Sequence, residues 1–283
     1  MTTVSLLKYH GLGNDFLIAL DPAALLDADA VRQLCDRHRG IGADGLIVAR
    51  LATEGADVAM ELTNADGSPA ETSGNGLRCF ALALVDSGTV KPEARTVSIE
   101  TDGGVVTADI LSRTSEHCAE IRVSMGLATV GPSVRPAPLL GSSYEARDVD
   151  VGNPHLVLLG SSVGCTDGLD IAEIGRELEP ARPGGQNVEV VAPDGTGGLD
   201  LLVFERGVGL TEACGSGSIA AAAAARASGL VGDRVPVRNP GGVVVVDLTG
   251  SPESPRVRLS GPACRVGRIE VDLEVAAAIG ANS

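Results

Sequence analysis

Cys214 lies in a stretch running from Glu205 to Ile219 that ends in six alanines. A turn of small residues after a strand over 201–204 delivers this cysteine to the mouth of a helix expected from 216 to 229. The N–H groups of Gly215, Ser216 and Gly217 have no partner inside such a helix, so they can hold a thiolate or a substrate carboxylate. The same positive end is expected to lower the thiol pKa from ~8.5 towards the working pH. A buried structural cysteine in front of a core helix is the plain alternative. The flanking glycines and the Glu205-Arg206 pair favour chemistry, because packing requires neither.

The chain carries a second version of this address. Ser73-Gly74-Asn75-Gly76 answers to Cys214-Gly215-Ser216-Gly217 at an offset of 141 residues, and Gly13-Asn14 answers to Gly152-Asn153 at 139. Gly103-Gly104-Val105-Val106 answers to Gly241-Gly242-Val243-Val244 at 138. Three matches in one order mark a duplicated unit. In the first copy the pattern predicts strands at 4–9 and 16–20, a helix at 28–38 capped by Asp27 or Asp29, and strands at 46–49 and 58–62. A helix at 75–87 and a hairpin at 97–110 complete it. In the second, strands at 146–151 and 156–159 precede a helix at 170–178, then strands at 188–192 and 201–204, the 216–228 helix and a hairpin over 235–248.

The two helices behind Ser73 and Cys214 are apolar on nearly every side and must be enclosed. The expected fold is therefore α/β of the α+β type: two pseudo-symmetric domains, each a curved, mostly antiparallel sheet wrapped around a central helix. Residues 1–116 with 264–283 form the first half and 117–263 the second, with a last strand at 264–275 and a frayed tail at 276–283. Both helix mouths are expected to open on a shared inter-domain cleft.

The 283 residues are 44% hydrophobic but only 2% aromatic, so the core must be built from Val, Ile, Leu and Ala. A net charge of −15 repels nucleic acid and anionic membranes, which excludes both as partners and favours a soluble chain. Neither a signal segment nor an apolar run of membrane length is present, so a cytoplasmic protein is expected. The six cysteines, at 35, 79, 118, 165, 214 and 264, lack CxxC spacing. No zinc site or disulfide framework is signalled, and reduced thiols are the default.

Two equivalent helix ends on one bound amino acid would offer an acid and a base on opposite sides of its α-carbon. That suits inversion of a stereocentre by two-base proton transfer, with water excluded by closure of the two domains. The quoted motifs resemble those of diaminopimelate epimerases: 10–16, 39–45, 64–67, 74–76 with Arg78-Cys79, 152–155, 187–189, 205–207 and 213–217, in the family's order across nearly the whole chain. The resemblance implies a cofactor-free and metal-free cytoplasmic homodimer that converts LL- to meso-diaminopimelate for lysine and peptidoglycan synthesis. It makes Cys214 one catalytic acid/base. Gly74, Asn75, Gly215 and Ser216 would bind the reacting carboxylate, and Asn64 and Glu205 the α-ammonium or its neighbours. Asn14, Asn153, Asn187 and Arg206 would read the distal amino-acid end, with His155 beside the thiols. For the asparagines, turn formation next to glycine is a rival reading; for His155 it is a satisfied histidine at a strand start.

One departure from the family pattern is chemically large. Its second catalytic cysteine falls on Ser73, whose hydroxyl is far less acidic than a thiol and seldom an anion without an activating base. Ser73 could still donate a proton or position a water. An engineered substitution, a natural variant working with serine in one role, and a different task on the same fold all fit. A proline racemase or hydroxyproline dehydratase type of relative, and a binding protein that has lost turnover, are the competing functions. Cys79, six residues along the helix, points elsewhere and belongs to the core.

Overall fold

The computed structural model describes residues 3–21, 26–70, 73–91, 93–134, 140 and 144–272. The chain divides into two compact units, Met1–Val123 with Pro262–Ser283, and Ser124–Gly261. The proposed frayed tail at 276–283 lies outside the described residues.

In the first unit, β1 (Thr3–Gly11) and β2 (Asn14–Ala19) lead into α1 (Ala28–Cys35), β3 (Gly45–Arg50) and β4 (Val58–Asn64). Then follow α2 (Gly74–Asp86), β5 (Thr96–Thr101), β6 (Gly104–Arg113) and β7 (Cys118–Leu127), the last of which runs on into the second unit. That unit adds β8 (Thr129–Val130), β9 (Tyr144–Asp150), β10 (Pro154–Gly160), α3 (Ile171–Leu178), β11 (Asn187–Pro193), β12 (Leu199–Glu205) and β13 (Gly209–Leu210). It continues with α4 (Gly215–Ala227), β14 (Arg234–Asn239), β15 (Gly242–Thr249) and β16 (Arg256–Asp272), whose second half returns to the first unit.

Among the described residues most strand pairs are antiparallel, and the four parallel ones fall at matching places: β2–β3 and β4–β5 in the first unit, β10–β11 and β12–β14 in the second. A parallel pair needs a crossover, and each of the four helices supplies one. The helices divide by role. α1 and α3 bury one stripe each, through Val31, Leu34 and Cys35 and through Ile174, Gly175 and Leu178. By contrast, α2 is buried from Gly74 to Val85 and α4 over most of its length, so each unit encloses one helix in its sheet. Both enclosed helices stop at a glycine in the left-handed region, Gly88 (φ 75) and Gly229 (φ 73), where a side chain would be strained.

Three expectations change at the ends of elements. α1 stops at Cys35 rather than 38, because the Asp36 carboxylate turns back to accept from the His38 and Arg39 N–H groups. β16 starts at Arg256, eight residues before the expected strand, and β7 lies in a stretch for which no strand was expected. The reduced-thiol default fails for two cysteines. Cys118 and Cys264 form a disulfide across the neighbouring strands β7 and β16, a pairing hidden by a sequence separation of 146. No helix among the described residues is long and apolar enough to cross a membrane.

Candidate active site

Each enclosed helix begins in the same way. Ser73 caps α2 with extended backbone (φ −99, ψ 119), its Oγ accepting from Gly76 N at 3.0 Å. Cys214 caps α4 (φ −114, ψ 115), its Sγ accepting from Gly217 N at 3.3 Å. The first intrahelical bonds run from Leu77 N to Ser73 O and from Ser218 N to Cys214 O. The N–H groups of Gly74 and Asn75, and of Gly215 and Ser216, thus precede both helical ladders and lie at the helix mouths, the positive end of each helix.

The surroundings of the two mouths differ in chemistry. In the first unit the β2–β3 ladder sets Phe16 opposite Gly45, and in the second the β10–β11 ladder sets His155 opposite Asn187. Two residues on from Gly45 is Ile47, and two on from Asn187 is Glu189. Phe16 and Ile47 therefore correspond to His155 and Glu189. The helix glycines confirm the match: a Cβ on Gly76 would lie 3.4 Å from Ile47 Cδ1, and one on Gly217 would lie 2.9 Å from Glu189 Oε1 and 3.2 Å from Cys214 Sγ. His155 and Glu189 are fully buried, joined Nδ1 to Oε1 at 2.7 Å, and His155 Nε2 reaches Asn153 Oδ1 at 2.9 Å.

The cysteine mouth is consequently acidic. Burial pushes the Cys214 thiol well above its ordinary value, and the charges of Glu205 and Glu189 push it the same way. Contacts with Ser216 and Gly217 N–H oppose this and are outweighed. The expectation that the helix end would acidify Cys214 is therefore overturned: one amide at 3.3 Å cannot offset full desolvation beside two carboxylates. Burial also raises the Glu205 carboxyl; hydrogen bonds with Thr211 and Cys214 pull it down, and Glu189 adds to the rise.

The serine mouth carries a buried cation. Arg78, fully buried on α2, donates to Asn75 Oδ1 at 2.6 Å, Gly74 O at 3.3 Å and Pro262 O at 3.3 Å. Asn75 in turn donates to Asn14 Oδ1 at 3.1 Å, and Asn14 donates to Asp44 Oδ2 at 2.7 Å. Arg37 ties Asp44 to Asp15. Burial alone would raise the Asp15 carboxyl, but hydrogen bonds from Arg37 and Lys8 outweigh it and hold it low.

The structure gathers Asn14, Gly74 and Asn75 around Ser73, and Asn153, His155, Asn187, Glu205, Gly215 and Ser216 around the Cys214 end of the second unit. Asn187 braces the backbone, its Nδ2 donating to Pro154 O and its Oδ1 accepting from the N–H of Arg206. Asn64, on the strand end next to Gly45, is exposed and bonds its own turn at Ser68 Oγ and Pro69 O, as the turn-forming alternative anticipates. Sequence reasoning gave no role to Glu189, Arg78 and Asp44, which lie inside motifs of the resemblance, and missed Asn239, whose Oδ1 accepts from Cys214 N. Glu189 left one signal, a charge inside the otherwise apolar run 188–192. Cys79 is buried, and burial takes its thiol up to about 12.

Two pseudo-symmetric units with capped, enclosed helices define a racemase and epimerase type of fold. It matches a solved hydroxyproline epimerase from Agrobacterium vitis (TM-score 0.72, 20% identity, 96% of this chain and 91% of that one). It also matches a phenazine biosynthesis protein of the PhzF family from Bacillus anthracis (TM-score 0.73, 16% identity, 96% and 100%). A family profile for diaminopimelate epimerase covers residues 6–130 and 148–264. A diaminopimelate epimerase of Synechocystis sp. is 37% identical over 95% of this chain and 99% of its own, and one from Rhodococcus opacus 36% over 94% and 96%. The chain belongs to the diaminopimelate epimerase family and is an isomerase, an amino-acid epimerase.

Proposed function

We propose that the chain converts LL-2,6-diaminopimelate to the meso isomer without a cofactor, with Cys214 and Ser73 exchanging protons with one α-carbon. The observation that carries this reading is the Cys214 cap of α4, a thiol beside two uncommitted backbone N–H groups. As a thiolate, Cys214 takes the α-proton, and the charge left on carbon spreads into the carboxylate, which the helix-mouth N–H groups stabilise. Ser73, through its hydroxyl or a water it positions, returns a proton on the opposite side. Glu205 suits the α-ammonium, and Arg206 suits the distal carboxylate as a bidentate donor. Such a reaction serves lysine and peptidoglycan precursor synthesis. The cytoplasmic location and the homodimer rest on the family resemblance.

A thiol held above the working pH is seldom ionised, and its thiolate fraction falls about tenfold per unit of separation. A thiolate formed there is correspondingly a stronger base. The proposal is tested by incubating LL-diaminopimelate in deuterium oxide with the wild-type protein and with Cys214→Ala. Deuterium at the α-carbon should accompany the meso product, and Cys214→Ala should lower both by about 10²–10⁴-fold while the fold persists. Normal turnover by Cys214→Ala would refute the assignment of the thiol.

A further inference from the structure

Glu189 is a buried acid for which the reaction just described has no use. One oxygen holds His155 Nδ1 at 2.7 Å; the other, Oε2, is buried with no hydrogen-bond partner among the described residues. A buried carboxylate oxygen left unpaired is destabilising, and natural proteins seldom retain one without a reason. The fold does not demand an acid there, because the corresponding residue of the first unit is Ile47. The helix beside it lets acid and sulfur come close together: with no Cβ on Gly217, Oε1 and Cys214 Sγ approach the same point, at 2.9 and 3.2 Å. Any side chain at 217 would collide with the acid and press on the sulfur.

We propose that Glu189 is a positioning residue that sets how tightly the Cys214 sulfur holds its proton, acting across the gap at Gly217 while it orients His155. This rests on the reading of Cys214 as the proton-transfer group. Among the described residues, the charged groups that bear on that sulfur are Glu205 on β12 and Glu189 on β11, the latter joined to His155 on β10. Glu205 lies close enough to the thiol for each group to shift the other. Glu189 bonds the imidazole, so its negative charge bears on the sulfur through space. Added to that of Glu205, it disfavours the thiolate and strengthens it as a base once formed.

The test follows the 13Cβ resonance of Cys214 against pH in protein labelled at cysteine, assigned by its absence from Cys214→Ala. Glu189→Gln keeps the shape and removes the charge; its thiol should titrate about one unit or more below that of the wild type. Glu189→Asp, which keeps the charge, should stay close to the wild type. kcat should fall in Glu189→Gln with KM little changed. Coincident titrations of wild type and Glu189→Gln, including two curves flat up to the pH of unfolding, would overturn the proposal, whereas packing alone would leave the midpoint where it is. The titration needs no substrate, so it stands or falls separately from diaminopimelate exchange, whose absence in the wild-type protein would instead count against the proposed reaction.

Discussion

The two helix mouths share a backbone and differ in everything that touches a proton. At α2 the cap is a hydroxyl, the strands behind it carry Phe16 and Ile47, and the buried Arg78 cation bonds Gly74 and Asn75 at the helix start. At α4 the cap is a thiol, the same strand positions carry His155 and Glu189, and Ile219 stands five residues into the helix, as Arg78 does in α2. A positive interior at a helix N-terminus suits holding a carboxylate. A negative interior beside a thiol suits holding and recovering a proton. The two mouths repeat one backbone arrangement, and their side chains make one cationic and the other acidic.

Exchanging the distinguishing residues breaks the comparison most sharply. Putting the first unit's pair into the second, as His155→Phe with Glu189→Ile, should leave a folded protein whose α-proton exchange falls about 10²-fold. Circular dichroism and deuterium incorporation check the two halves of that statement, and an unchanged rate would make the acidic surroundings irrelevant. Making the caps alike is a gentler change. Ser73→Cys should raise the epimerisation rate about tenfold, because a thiol releases and regains a proton more readily than a hydroxyl; an unchanged rate would remove position 73 from proton transfer.

The smallest effect concerns stability rather than rate. Burial takes the Cys79 and Cys35 thiols from 9.0 to about 12 and about 11. A raised folded-state pKa gives stability that is complete below the unfolded value and is lost as pH rises towards the folded one. Between pH 9 and 11 each such thiol should therefore remove about 1.4 kcal/mol of stability per pH unit. Denaturant titrations of Cys79→Ala across that window should show a slope shallower by about that amount, and an equal slope would mean that Cys79 ionises as easily folded as unfolded.

Much of the fold was legible because duplication repeats its own evidence. The alanine run after Ser218 and the apolar stretch after Asn75 each announced an enclosed helix, and Gly229 marked where the second one stops. The disulfide was not legible, since strand neighbours 146 residues apart leave no local spacing. The sign of the Cys214 shift was also hidden. A helix end is a local feature that the Gly-Ser-Gly sequence displays, whereas desolvation and the approach of Glu189 and Glu205 depend on tertiary packing. Arg78 stood in a motif of the resemblance, but its role was hidden in the same way: it is a cation inside an apolar helix whose acceptors are the carbonyls of Gly74 and Pro262 and the amide oxygen of Asn75.

The division of labour between the two caps is tested most directly by comparing Ser73→Ala with Cys214→Ala for deuterium uptake at the α-carbon of diaminopimelate. Ser73→Ala should still exchange the α-proton through Cys214 while forming little of the inverted isomer, and Cys214→Ala should do neither. Exchange that survives in Cys214→Ala and vanishes in Ser73→Ala would place the proton-transfer group at the other mouth.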